Sequence, residues 1–216
     1  MKLTRAAVFS AYVALAAAVR QPENAQSLVQ KSEGDESDRP ASSKIMFRRC
    51  PLPPGVPGIL WLHSMPGRKE EFTLFLQSAA EAELDTIACL AEREQIKAMS
   101  PKYAEALETH DLPCDVREHP IPDFNIPADP PTFRKYVDEL AILLRQGQRV
   151  LIHCAGGIGR TGMTAISVLE ALGESLAEAT KNVEAAGSHP ETEAQREFLR
   201  EQAEIARGSP KVAAEQ

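Results

Sequence analysis

Three observations predict an α/β domain with a central, mostly parallel sheet flanked by helices. Short apolar runs alternate with segments of helical periodicity over about 160 residues. One of those runs, Val150-Leu151-Ile152, passes directly into a glycine-rich turn and then a helical pattern. No internal repeat or second-domain boundary interrupts the stretch.

The N-terminal part is a different material. Lys2 and Arg5 precede the small apolar run Ala6 to Val19, with Ala16-Ala17-Ala18 as a cleavage-site pattern. Residues 1–20 therefore read equally well as a signal peptide, a transit sequence, a short N-terminal helix, or an extension upstream of a true start at Met46. Residues 21–44 are polar and charged with almost nothing to bury, the composition of a disordered linker. The folded unit is expected from about Ile45 to residue 207, with residues 208–216 as a tail.

Within that unit Gly58 to His63 and Asp85 to Leu90 read as buried strands, with Trp61 in the core. Between them, Arg68 to Ala82 places Phe72, Phe75, Leu76 and Ala79 on one helical face. Lys102 to Glu108 is a second helix with Pro101 near its start. Cys114 to His119 alternates as a strand does, and Pro120, Pro122, Pro127, Pro130 and Pro131 then forbid regular structure. From Thr132 a helix runs to Gly147 on Phe133, Val137, Leu140 and Leu144, and Arg149 to Ile152 is a central strand. Helices at about 160–172, 175–186 and 190–206 complete the chain, punctuated by Gly173 and Gly187.

The chemistry concentrates in His153-Cys154-Ala155-Gly156-Gly157-Ile158-Gly159-Arg160-Thr161-Gly162. Three glycines among the five residues between Cys154 and Arg160 let a tight loop turn its backbone N–H groups inward, around a space of phosphate size. The dipole of the following helix adds to that field. Arg160, in the first helical turn, presents a bidentate fork suited to two phosphoryl oxygens. A thiol at the bottom of such a cup is drawn toward the thiolate and becomes a nucleophile. No Gly-x-Gly-x-x-Gly and no Lys-Ser or Lys-Thr follows the strand, so a dinucleotide or Walker loop does not fit.

His153-Cys154, five residues, then Arg160-Thr161 resembles the signature of cysteine-dependent protein tyrosine and dual-specificity phosphatases. The resemblance covers about Gly58 to Phe198 and is nearest to the kinase-associated phosphatase group. It implies a protein tyrosine phosphatase-like fold and a phosphomonoesterase that needs no metal or cofactor, in which Cys154 forms a phosphocysteine that water hydrolyses. It further implies that Thr161 stabilises the leaving thiolate and that His153 orders the loop and lowers the thiol pKa. The general acid that such chemistry requires is assigned to Asp123, 31 residues before Cys154 in the proline-bounded loop, with Asp129 and Asp115 as rivals. Gln195 is similar to the family glutamine that positions the attacking water, although Glu191 stands where classical members carry a second glutamine.

The uncharged loop Ala155 to Gly159 and the charge of −7, from Lys+Arg 24 and Asp+Glu 31, favour a singly phosphorylated protein side chain over inositol phosphates or phosphoinositides. A non-catalytic phosphoprotein-binding module is the alternative of another class. Eleven aromatics and an acidic balance disfavour nucleic acid, and no run reaches the roughly 18 apolar residues of an integral span. Cys50, Cys89, Cys114 and Cys154 have no metal-ligand spacing. Cys89 ends a strand that could adjoin Cys154, so it is either a buried core thiol or the partner in a reversible protective disulfide. A working thiolate suits a reducing cytoplasm, with export as the alternative. Oligomeric state is left open.

Overall fold

The computed structural model describes residues 45–208. The N-terminal helix or signal at 1–20, the linker at 21–44 and the tail beyond residue 208 lie outside the described residues. Five strands, β1 Arg48–Cys50, β2 Ile59–His63, β3 Thr86–Cys89, β4 Asp115–Glu118 and β5 Arg149–His153, form one sheet in the order β1-β2-β5-β3-β4. The last four are mutually parallel, and β1 closes one edge antiparallel to β2. β5 lies in the middle because its apolar run leaves neither face fit for water: Val150, Leu151 and Ile152 are fully buried.

Seven helices are present among the described residues: α1 Phe72–Glu81, α2 Arg93–Met99, α3 Pro101–Glu108, α4 Pro130–Arg145, α5 Gly159–Ala171, α6 Leu176–Ala185 and α7 Glu193–Gly208. Leu60, Leu62, Ala88, Leu90, Val150 and Ile152 project from one face of the sheet into a core completed by the apolar stripes of α4 to α7, including Leu140, Ile166, Val183 and Phe198. The opposite face carries an aromatic layer in which Phe47 packs on Trp61, His63 and Phe75, while Phe72 stacks on Phe75 and tilts against Tyr103. The pleat separates the two sets, because successive side chains on a strand point to opposite faces.

The departures from the sequence expectation have local causes. α1 begins at Phe72 rather than Arg68, because Gly67 N–H donates to Glu70 Oε1 (2.9 Å) and ties residues 67–70 into a turn. Pro130 and Pro131 open α4 instead of excluding it: the first turn of a helix needs no N–H partner there, and proline φ suits it. β1 and α2 have no periodic signal, being three residues of edge strand and seven residues that bury only Ile96. Gly208, assigned to the tail, closes α7.

Leu140 is fully buried between the sheet and α5. Leu140→Ala should lower the unfolding free energy by about 2–5 kcal/mol in denaturant titration, through lost burial and the cavity left behind.

Candidate active site

The loops that follow β2, β3, β4 and β5 all emerge at the carboxyl ends of the parallel strands, where open α/β sheets gather their ligand-binding groups. Residues 154–158 leave β5 and enter α5 at Gly159, with Ile158 as the N-cap and no side chain capping the helix. The first N–H groups of α5 are thus left for a ligand. Gly157 has φ +73°, and a Cβ there would collide with the His63 carbonyl. Its N–H donates to Cys154 Sγ at 3.2 Å. Its carbonyl points the other way, accepting from Arg48 Nη2 (2.5 Å) and Ser188 Oγ (2.8 Å). Arg48 also donates to the carbonyls of Ala186 (3.2 Å) and Gly187, so β1 and the end of α6 together fix the orientation of one peptide in the cup. Burial lowers the Arg48 pKa, and the neighbouring Cys154 opposes that shift.

Arg160 is 1% exposed. Its Nη1 donates to the Ile121 carbonyl (2.8 Å) and to Gln95 Oε1 (3.1 Å), and Nη2 lies 2.7 Å from Asp123 Oδ1. Neither Nη2 nor Nε makes an aligned hydrogen bond among the described residues. Buried guanidinium N–H groups are costly to leave unmade, so these two donors mark a place for anionic oxygens. Gln95 on α2 also donates from Nε2 to Asp123 Oδ2 (3.0 Å) and thereby joins acid and arginine. The Thr161 hydroxyl is buried without a partner among the described residues.

Asp123 is therefore brought to Arg160, and its rivals are not. Asp129 is the N-cap residue of α4, its carboxylate taken by the Thr132 hydroxyl. Asp115 begins β4, at the end of the sheet away from the cup. Gln195 is fully buried, its Oε1 accepting from Glu191 N–H (2.9 Å) and its Nε2 donating to the Asn125 carbonyl (3.0 Å). It pins the acid loop to α7, and its Oε1 would be 3.1 Å from a Cβ on Gly159, so it sits at the edge of the cup.

His153 ends β5 directly behind the cup. Its Nδ1–H donates to the Cys154 carbonyl (3.1 Å), since a carbonyl can only accept, and its Nε2 accepts from Tyr103 O–H (2.9 Å). Complete burial pushes its pKa down to about 4. It is neutral at pH 7, so it orders the loop but brings no positive charge to the thiol. The protective disulfide is at odds with the pleat. Cys89 lies level with His153 in the β3–β5 ladder and shares its face, whereas Cys154 belongs with Leu90 and Ile152 to the opposite core. Burial pushes the Cys89 thiol up to about 11 and the Cys50 thiol to about 12, so both stay protonated at neutral pH.

Arg48, Gln95, Tyr103 and Ser188 were not legible as site residues. Each reaches the cup across 31 to 109 residues of chain, and none stands in a motif.

A glycine-rich cup between a central parallel strand and a helix, with a cysteine at its base and a buried arginine at its rim, defines a phosphatase of the protein tyrosine phosphatase fold. Over residues 64–174 the sequence matches the family described as "Tc-R-P: Polymorphic toxin system, DSP-PTPase phosphatase", and the chain belongs to that family. Among solved structures, it is similar to a kinase-associated phosphatase with serine substituted for its catalytic-site cysteine (TM-score 0.65, 20% identity, 78% of this chain and 99% of that one). It is also similar to Tk-PTP in its active form (TM-score 0.55, 29% identity, 69% of this chain and 94% of that one). Cyclin-dependent kinase inhibitor 3 of Rattus norvegicus is 40% identical over 58 residues, a stretch that spans 27% of each protein.

The buried neutral His153 has a pH consequence. With its folded pKa depressed from 6.5 to about 4, the unfolded chain binds the extra proton as pH falls through that interval, so stability is full above pH 6.5 and lost toward pH 4. The loss from this group is of order 3 kcal/mol. Urea midpoints from pH 7.5 to 4 should fall less steeply for His153→Asn than for wild type.

Proposed function

We propose that the protein hydrolyses phosphate monoesters on protein side chains, phosphotyrosine foremost, through a phosphocysteine on Cys154. The observation that carries this reading is the pair of buried, unsatisfied donors on Arg160 beside a thiol that already accepts a backbone N–H. A phosphate group would take those donors and the inward amides of residues 155–160, displacing the Asp123 carboxylate from Arg160. Cys154 Sγ then attacks phosphorus in line while the bond to the ester oxygen breaks, and Asp123, protonated, gives its proton to that oxygen. In the second step Asp123 takes a proton from water as the water oxygen attacks phosphorus. The S–P bond breaks, the Thr161 hydroxyl stabilises the departing thiolate, and Gln195 holds the acid loop over the water. Charge in the transition state is met by fixed donors, which need no reorganisation.

Two features support a protein side chain as substrate. Ala155 to Gly159 carry no charge, leaving Arg160 as the one cation of the loop, enough for a single phosphoryl group. Phe124, next to Asp123 in sequence, is 61% exposed, an apolar ring beside the acid that supports an aromatic side chain as substrate. The reduced thiol that the reaction needs supports a reducing compartment such as the cytoplasm as its place of action.

Turnover of p-nitrophenyl phosphate and of a phosphotyrosine peptide, both in chelator, tests the assignment. Cys154→Ser should lose about 10⁴-fold or more in kcat on both. Asp123→Ala should lose about 10²–10⁴-fold on the peptide and much less on p-nitrophenyl phosphate, whose leaving group needs little protonation. A folded wild type that binds phosphopeptides without turnover would instead make the cup a recognition site.

A further inference from the structure

We propose that the turn after β2 is a second anion subsite, in which Arg68 and Lys69 take a carboxylate or a second phosphoryl group flanking the scissile phosphate of a peptide. This rests on the function proposed above and adds the sequence context of its substrate.

The turn is built onto the cup. Met65 N–H donates to the Ala155 carbonyl (3.1 Å), Arg68 N–H closes the turn on the Met65 carbonyl (3.1 Å), and the Ser100 hydroxyl donates to the Pro66 carbonyl (2.7 Å). Glu70 folds inward, where its Oε1 accepts from Gly67 N–H (2.9 Å) and pairs with His63 Nε2 (3.2 Å). Burial opposes ionisation of Glu70, but the bonds from His63 and Gly67 outweigh it and hold its pKa below the usual value. The backbone under Arg68 and Lys69 is thus anchored at five points while both side chains remain exposed. Arg68 Nη1 lies 3.9 Å from where a Cβ on Gly156 would stand, which puts its guanidinium at the rim of the cup.

The charges at this turn are unmatched in a chain of net charge −7. The two acidic residues that follow in sequence are engaged elsewhere, Glu70 inward and Glu71 with Lys102 (3.6 Å). Among the described residues, the side chains of Arg68 and Lys69 have no ion pair or hydrogen bond, whereas Arg93, Arg149, Arg196 and Arg200 are each paired with glutamate. Two unpaired cations on an anchored turn beside a neutral phosphate cup attract a second negative group one or two residues from the first.

The rest of the rim argues for a peptide rather than a polyphosphorylated headgroup. Asp123 covers Arg160, and Glu191 packs so closely on Gly159 that a Cβ there would strike its carboxylate. A compact polyanion filling the mouth would meet both carboxylates, while an extended peptide can lay its acidic residue along the Arg68 side alone.

The test compares full-length wild type with the Arg68→Gln/Lys69→Gln double variant on two phosphotyrosine peptides of equal length. One is flanked by alanine and the other by aspartate and glutamate, and vesicles containing a phosphatidylinositol monophosphate form a third arm. The quantity read is the ratio of kcat/KM between substrates, so that a general loss cancels. Wild type should prefer the acidic peptide by about tenfold, mainly in KM, with the preference shrinking from 20 to 300 mM salt as screening grows. In the double variant the ratio should fall below about twofold. A wild-type ratio near one, a ratio unchanged in the variant, or a variant effect confined to the vesicles overturns the subsite. If wild type hydrolyses none of the three, the proposed function fails while the subsite is still decided, by whether the Cys154→Ser protein binds the acidic peptide more tightly and loses that preference when combined with the double variant.

Discussion

The constraint on which the site depends is the orientation of the peptides between Cys154 and Arg160: N–H groups must face a small central space, and carbonyls must face out. Each outward carbonyl then needs a donor of its own, because a buried carbonyl without one costs about as much as a lost hydrogen bond. The fold supplies these donors from distant parts of the chain. Met65 N–H serves Ala155, Arg48 and Ser188 serve Gly157, and His153 serves Cys154. Removing these supports would not touch the nucleophile, yet it would free the loop to turn its amides away from a phosphate.

The sheet makes this arrangement affordable in free energy. β5, buried on both faces at the centre of four parallel strands, delivers Cys154 to a fixed point, and α5 starts within six residues of that strand end. The two faces divide the labour. The face toward α4 to α7 buries the aliphatic core and Cys154, while the aromatic face holds His153 neutral against Tyr103 and keeps Cys89 as an inert thiol.

The legible parts of the sequence were those with local signals. Val150-Leu151-Ile152 followed by the glycines and Arg160 specifies strand, cup and helix within about fifteen residues, and the proline-bounded loop locates Asp123. What the sequence concealed is non-local or charge-dependent. Arg48 looks like an edge-strand cation until α6 ends against it, and Gln95 lies on a helix too short to show a period. The charge state of His153 has no signal in the sequence, because it is set by complete burial, which pushes its pKa down to about 4. The turn at 67–70 read as the start of a helix because the inward bonds of Glu70 have no pattern in the chain.

The central claim is that Cys154 itself accepts the phosphoryl group. Rapid quenching of the Asp123→Ala protein with p-nitrophenyl phosphate, whose leaving group departs without the acid while hydrolysis still lacks its base, under single-turnover conditions, followed by peptide mass spectrometry at neutral pH, tests it directly. A phosphoryl mass increment on the peptide containing Cys154, which disappears on longer incubation, is the expected result. Release of inorganic phosphate with no modified Cys154 at any time would contradict the account.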